Sequence, residues 1–196
     1  MPVPTQNQPV NLASLPLPLQ CERLELRAFR ATDFAAYAAY HAQPDVYRFL
    51  YTPAPTGQAL QDQFAAVLAQ PFAQDGDTLR LAVTRRADGA LVGEVLLKIA
   101  SLAALQAEVG YIFHPDFAGK GYATEAVAAM LGLGFEALGC HRIFARLDAL
   151  NAGSVGVVER LGLRREAHLI QNDRFNGVWG DEYIYAMLGS EWSVAR

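Results

Sequence analysis

The segment with the most chemical character is Gly119-Lys120-Gly121-Tyr122-Ala123-Thr124. It follows a strand-like stretch, Glu108 to Phe113, that ends at His114-Pro115. After it, Ala123, Val127, Met130, Leu131, Phe135 and Leu138 share one broad helical face. A strand that stops and a helix that starts leave main-chain N–H groups without internal partners, and the helix dipole adds partial positive charge there. Gly119 and Gly121 carry no side chain, so a pyrophosphate can approach the backbone closely, while Lys120 adds a cation nearby. The chemistry implied is phosphate recognition by main-chain donors.

Other chemistries fit less well. A Walker A loop needs Gly where this chain has His114, and Ser or Thr where it has Gly121. The dinucleotide fingerprint matches Gly119 and Gly121 but meets Thr124 at its third glycine, and it falls late in the chain. Ala152-x-Ser154-x-Gly156 is one residue short of a nucleophile elbow. Downstream of Ser154 only His168 remains, with Glu159 and Glu166 too close in sequence for a hydrolase triad. His41, His114 and His141 have no metal-ligand spacing with one another or with Cys21 and Cys140, so no metal is expected.

The elements that must position the loop are legible from periodicity. Leu24, Leu26 and Ala28 alternate with Glu25, Arg27 and Phe29 as in a strand, and Thr32 or Asp33 can cap an alanine-rich helix reaching about His41. Leu60, Phe64, Val67 and Leu68 recur at helical spacing within Thr56 to Phe72. Leu79 to Arg85 and Leu91 to Ile99 flank the turn Ala87-Asp88-Gly89-Ala90 as a hairpin. Beyond the loop come a strand, Arg142 to Leu147, a short helix, Ser154 to Leu161 with Gly162 as its stop, and two strands joined at Asn176-Gly177. The order predicts an α/β fold of α+β type, a mixed sheet with helices on its faces.

Composition bounds the rest. The chain has 196 residues, 52% apolar and 18% charged, which suits one globular domain over 21–192. Its net charge of -4 lacks the basic field that nonspecific nucleic-acid binding depends on. Met1 to Leu19 carries five prolines without a basic start or apolar core, so positions 1–20 read as an extended arm and not as a signal peptide. No apolar run approaches the roughly 18 residues that a membrane span needs. The two cysteines lie outside any C-x-x-C pair and read as buried thiols in a reducing cytosol, so a cytoplasmic protein is expected.

The stretch Phe117-Ala118-Gly119-Lys120-Gly121-Tyr122-Ala123-Thr124-Glu125-Ala126 resembles the coenzyme A loop of the GNAT N-acetyltransferases. Ala107-Glu108-Val109-Gly110-Tyr111, Asn151-x-x-Ser154 and Glu159-Arg160-Leu161-Gly162-Leu163 extend the resemblance in the family's order. With Gly177-Val178-Trp179-Gly180-Asp181, Tyr185 and Glu191-Trp192, the set is similar to the RimJ/RimL branch, which acetylates N-terminal amines of ribosomal proteins. Two departures stand out. Ala118 occupies a place usually held by Gln or Arg, and Val158 the place where many members carry a Tyr near the coenzyme A sulfur.

The resemblance implies a GNAT fold, a mostly antiparallel twisted sheet, and acetyl-CoA as cosubstrate without a metal. It implies direct attack by an amine within a ternary complex. The strand Tyr111, Ile112 and Phe113 would pair with the pantetheine arm and hold the acetyl carbonyl. Gly119, Lys120, Gly121, Tyr122, Ala123 and Thr124 would take the pyrophosphate, and Asn151 would contact the coenzyme. The acceptor would be a ribosomal protein N-terminus, or a small amine such as an antibiotic, polyamine or amino acid, and a homodimer is a family expectation. A non-catalytic acyl-CoA sensor is the competing class. Glu108 is the candidate base, acting through water, or else a solvated strand-end carboxylate. Ser154 is the candidate acid or donor to the thiolate, and it suits a helix N-terminus equally well. Asn151 has the same capping alternative, and Tyr111 that of filling the core. Arg160, Arg164 and Arg165 form a basic group that could meet the coenzyme's 3′-phosphate or remain a solvated face. Trp179, Asp181 and Tyr185 are expected to line the acceptor cleft, with Asp181 attracting a cationic amine, against the plain reading of hairpin packing and surface charge.

Overall fold

A computed structural model describes residues 15–69 and 71–192. Most of the expected arm lies outside the described residues, and its last residues, Leu19–Gln20, form strand β1 paired with β2, Leu24–Arg27. Helices α1, Phe34–His41, and α2, Gly57–Ala69, follow. Strands β3, Thr78–Arg85, β4, Leu91–Ser101, and β5, Gln106–Phe113, form a meander. Then come α3, Tyr122–Gly132, strand β6, Arg142–Asp148, α4, Ala152–Arg160, the hairpin β7, Arg164–Phe175, with β8, Val178–Leu188, and the short α5, Gly189–Trp192. The sheet order is β1-β2-β3-β4-β5-β6-β8-β7. Every neighbouring pair is antiparallel except β5 with β6.

Strand alternation sends one set of side chains to each face. On one face Leu24, Leu81, Val95, Leu97, Val109 and Ile143 pack against Met130 and Leu131 of α3 and Val157 and Val158 of α4. On the other, Tyr37 and Tyr40 of α1 and Leu60, Phe64 and Val67 of α2 close over Ala82. Each large side chain so buried contributes roughly 2 kcal/mol relative to exposure. Helices therefore cover both faces, as expected. The helical face read through to Leu138 is α-helical only to Gly132 and closes with a π turn, Leu133–Ala137. Asp33 stands at the α1 N-terminus without a capping bond, because its carboxylate instead takes two bonds from Arg27, at 2.7 and 2.8 Å, and one from the Arg30 N–H. The cysteines are free and half-buried rather than fully buried. Asn176 and Gly177 both have positive φ, 50° and 82°, as the expected tight hairpin requires.

One feature of the sheet positions the candidate site. β5 pairs with β4 along its length, but its parallel pairing with β6 runs only from Gln106↔Arg142 to Glu108↔Phe144. Beyond that the two strands separate, and the edge of residues 109–113 that faces β6 has no strand on it.

Candidate active site

The loop before α3 is built from local bonds. His114 Nδ1 accepts from the Asp116 N–H at 3.1 Å and starts a turn over Pro115–Phe117, after which Ala118 is extended. Gly119 and Gly121 take φ of 73° and 77°, a region costly for any residue with a Cβ. A Cβ on Gly119 would meet nothing within 4 Å, so the cradle is open on that side. The first N–H groups of α3 have no intrahelical acceptor and face this opening.

The loop is strapped from a distance by Arg23. Its Nη1 donates to the Lys120 carbonyl at 2.8 Å, its Nε to Glu125 at 2.8 Å, and its own N–H to Glu125 at 2.7 Å. The guanidinium also lies 5.1 Å from the Tyr122 ring centroid. No local pattern singles out Arg23, since about a hundred residues separate it from its partners. Lys120, expected to offer a cation to phosphate, instead donates from Nζ to the Asp116 carbonyl at 3.0 Å and sits over Phe117.

A groove of about 810 Å³ runs from this loop along the free edge of β5, lined by Tyr111, Ile112 and Phe113, Gly119 and Gly121 to Thr124, Asn151, Ser154 and Arg160. Asn151 Oδ1 accepts from the Ser154 N–H at 3.1 Å, so it caps α4, whose start lies two residues before Ser154. Tyr111 does more than fill the core, because its hydroxyl donates to the Ser154 carbonyl at 2.9 Å and ties α4 to β5 across the gap. Burial pushes that phenol up to about 12. The three arginines separate: Arg160 lines the groove, Arg164 is paired with Glu166 at 2.6 Å and with Glu191, and Arg165 lies over the Tyr183 ring. Val158 is fully buried and has no proton to give.

The gap has a second opening. A cleft of about 530 Å³ shares Tyr111, Ile112, Asn151 and Ser154 with the groove and adds Glu108, Arg146 and Asp148. Glu108 Oε1 accepts from Arg146 Nε at 3.0 Å, so this carboxylate is fixed in direction rather than freely solvated. Asp148 also borders a third hollow of about 680 Å³, between residues 44–56 and the β7–β8 tip, where Trp179 is 54% exposed. There the Tyr51 hydroxyl donates to Asp148 Oδ2 at 2.5 Å, passing over Gly180 at a distance that no Cβ would permit. Tyr51 and Asp148 carried no sequence signal.

Two of the expected acceptor-lining residues lie elsewhere. Asp181 faces away from Gly180 and Glu182 by strand alternation, bonding His168 Nε2 at 2.7 Å and the Gln171 N–H at 2.9 Å, which hold its carboxyl below the usual range. Tyr185 is buried and donates to Glu159 at 2.8 Å. Among the described residues no group of three or more metal-ligating side chains comes together, and no helix is long and apolar enough to cross a membrane.

Known proteins share this fold. The chain is 28% identical over 172 residues to an uncharacterized N-acetyltransferase, YnaD, of Bacillus subtilis, covering 88% of this chain and 97% of that one. Its structure superimposes with a TM-score of 0.78 on a GNAT acetyltransferase from Bacillus anthracis, at 29% identity and with 88% and 99% of the two chains covered. It also shares its fold, at TM-score 0.75 and 21% identity over 87% and 98% of the chains, with a spermidine N-acetyltransferase from Vibrio cholerae solved with CoA and spermine. The model of the acetyltransferase (GNAT) domain matches residues 23–164, strap, loop and α4 included, and the chain belongs to that family of acetyl-CoA-dependent acetyltransferases.

Proposed function

We propose that this enzyme acetylates a primary amine, the α-amine of a protein N-terminus, by direct attack on acetyl-CoA within a ternary complex. The observation that carries the reading is the separation of β5 from β6. It gives the coenzyme groove and the acceptor cleft a common wall in Tyr111, Ile112, Asn151 and Ser154. Acetyl-CoA supplies the activated acyl group. The positive-φ loop Gly119 to Thr124 fits a pyrophosphate by main-chain N–H groups alone, which accounts for a family side chain being dispensable at Ala118. The free edge of Tyr111, Ile112 and Phe113 offers the backbone donors that can pair with the pantetheine arm and stabilise charge developing on the carbonyl oxygen.

Glu108, held by Arg146, accepts the amine's proton through water, and the amine becomes the nucleophile. Ser154, whose N–H and carbonyl are already committed to Asn151 and Tyr111, keeps its hydroxyl for the departing sulfur. The ordered motifs of the RimJ/RimL branch, and a cleft that continues past Asp148 toward the exposed Trp179, support a peptide as acceptor. A second reading, a small cationic amine, is favoured by the carboxylates Glu108 and Asp148 in the same cleft.

Calorimetric titration with acetyl-CoA, followed by thiol release on the same sample, tests this. Saturable binding and release with N-terminal peptides are expected. Absence of binding rejects the coenzyme site, release with small amines but not peptides transfers the activity to the second reading, and binding without release for any amine leaves only an acyl-CoA sensor.

A further inference from the structure

The wall that the coenzyme groove and the acceptor cleft share does not come from β5 and α4 alone. Phe49 and Leu50 border both cavities as well, and among the described residues Phe49 alone also borders the hollow toward Trp179. A thioester in the groove and an amine in the cleft can meet only where the two cavities join. The floor of that junction is Tyr111 and Ile112, one side is Asn151 and Ser154, and the cover is Phe49 with Leu50.

The segment that carries this cover is pinned at both ends. Before it, Tyr47 is 5% exposed, shares a hydrogen bond of 2.6 Å with His41 Nδ1 and accepts from Gln63 Nε2 at 3.1 Å. After it, Tyr51 takes a φ of 53°, a conformation that is costly for a residue with a Cβ. Its hydroxyl donates to Asp148 Oδ2 at 2.5 Å and lies against Gly180, where a Cβ would not fit. Strain of this kind persists only where the surroundings fix it, and here they are a carboxylate on β6 and a bare glycine on β8.

Building on the N-acetyltransferase reading, we propose that Phe49 limits the length of the acyl chain this enzyme transfers, and that Tyr51 is the positioning residue that holds Phe49 in place. At the junction the sulfur belongs to the groove, the carbonyl oxygen to the free edge of β5, and the amine to the cleft. The carbon chain takes the side that remains. Of the walls left, Asn151 and Ser154 are polar and Phe49 and Leu50 apolar, so a methyl group lies against the apolar pair. The Phe49 ring then stands between that methyl group and the hollow of about 680 Å³. An acetyl group fits before the ring, and each further methylene has to displace it. With the ring removed, junction and hollow become one space, and a longer chain finds apolar surface at Pro53, Val178 and Trp179.

The test compares acetyl-CoA with butyryl-CoA, by thiol release with Ser-Ala-Ala and 1,5-diaminopentane as acceptors and by calorimetry for binding. The wild-type enzyme should favour acetyl-CoA in kcat/KM by roughly tenfold or more, the order of discrimination that a pocket refusing extra methylenes achieves. Phe49→Ala should bring the ratio toward one. Tyr51→Phe, which removes only the hydroxyl, and Gly180→Ala, whose Cβ pushes that hydroxyl off Asp148, should each lower it by a smaller factor. A merely structural loss would depress both donors alike and leave the ratio where it was. A wild type that uses both donors equally, or a ratio untouched by Phe49→Ala, overturns the proposal while the acetyltransferase reading stands. A ratio that responds to Phe49→Ala but to neither Tyr51→Phe nor Gly180→Ala overturns the role of Tyr51. Absence of thiol release with both acceptors counts against the acetyltransferase reading instead, and the ratio of the two binding affinities, with and without Phe49, then decides the proposal.

Discussion

The groove under the glycine loop and the cleft at Glu108 and Asp148 meet at β5, yet they are made by opposite means. The groove is a product of main chain: two positive-φ glycines, the start of α3 and an unpaired strand edge, most of it within residues 111–124. The cleft is a product of side chains: Glu108 from β5 meets Arg146 and Asp148 from β6, and Asp148 is tied to Tyr51 of the adjoining hollow and lies opposite Glu182. A site built of backbone tolerates side-chain change and keeps one ligand. A site built of converging side chains changes ligand with few substitutions.

That contrast can be broken from either end. The largest effect belongs to Gly121→Glu. A Cβ there meets the Arg23 guanidinium at 3.3 Å, the φ of 77° is unfavourable, and the added carboxylate faces the pyrophosphate. Acetyl-CoA affinity should fall by about a hundredfold or more, ~3 kcal/mol, in calorimetry. Retained affinity would move the coenzyme off this loop.

Next is Glu108→Gln, for which kcat should drop about a hundredfold while acetyl-CoA affinity in calorimetry is unchanged. An unchanged kcat would return Glu108 to the role of Arg146's ion-pair partner. Arg23→Ala removes the strap on Lys120 and Glu125, and coenzyme affinity should weaken about fivefold, ~1 kcal/mol, without loss of fold by circular dichroism.

The smallest effect sharpens the comparison from the cleft side. Glu182→Gln should raise the melting temperature at neutral pH by about 3 °C, corresponding to roughly 1 kcal/mol. The sign follows from the raised carboxyl: the native state holds the proton more tightly than the unfolded chain, so Glu182 costs stability as pH rises above the unfolded carboxylate range. The variant's advantage should therefore grow with pH and vanish in acid. A loss of stability would show that Glu182 is satisfied within the fold.

Legibility in the sequence followed the same division. The helices and strands came from periodicity, and the loop from two glycines between a strand and a helix, because local geometry is written in contiguous residues. Asn151 and Ser154 were readable as a helix start for the same reason. Asp181 and Tyr185 take the plainer of their two readings, hairpin contact and packing, because one residue of register on β8 sends a side chain to the opposite face, where Asp181 meets His168 and Tyr185 meets Glu159. Arg23, Tyr51 and Glu182 were invisible, each having its neighbours far along the chain.

The sequence by itself determined that there is a phosphate cradle, which elements flank it, and the family whose motifs surround it, since each of these depends on residues adjacent in the chain. Only the tertiary structure decided that β5 parts from β6 after Glu108 and that Arg146 fixes that carboxylate. It alone set two acids opposite each other with a buried oxygen unpaired. The physical reason is range: a backbone turn is set within a few residues, whereas the partner of a buried charge is set by which strands the whole fold brings side by side.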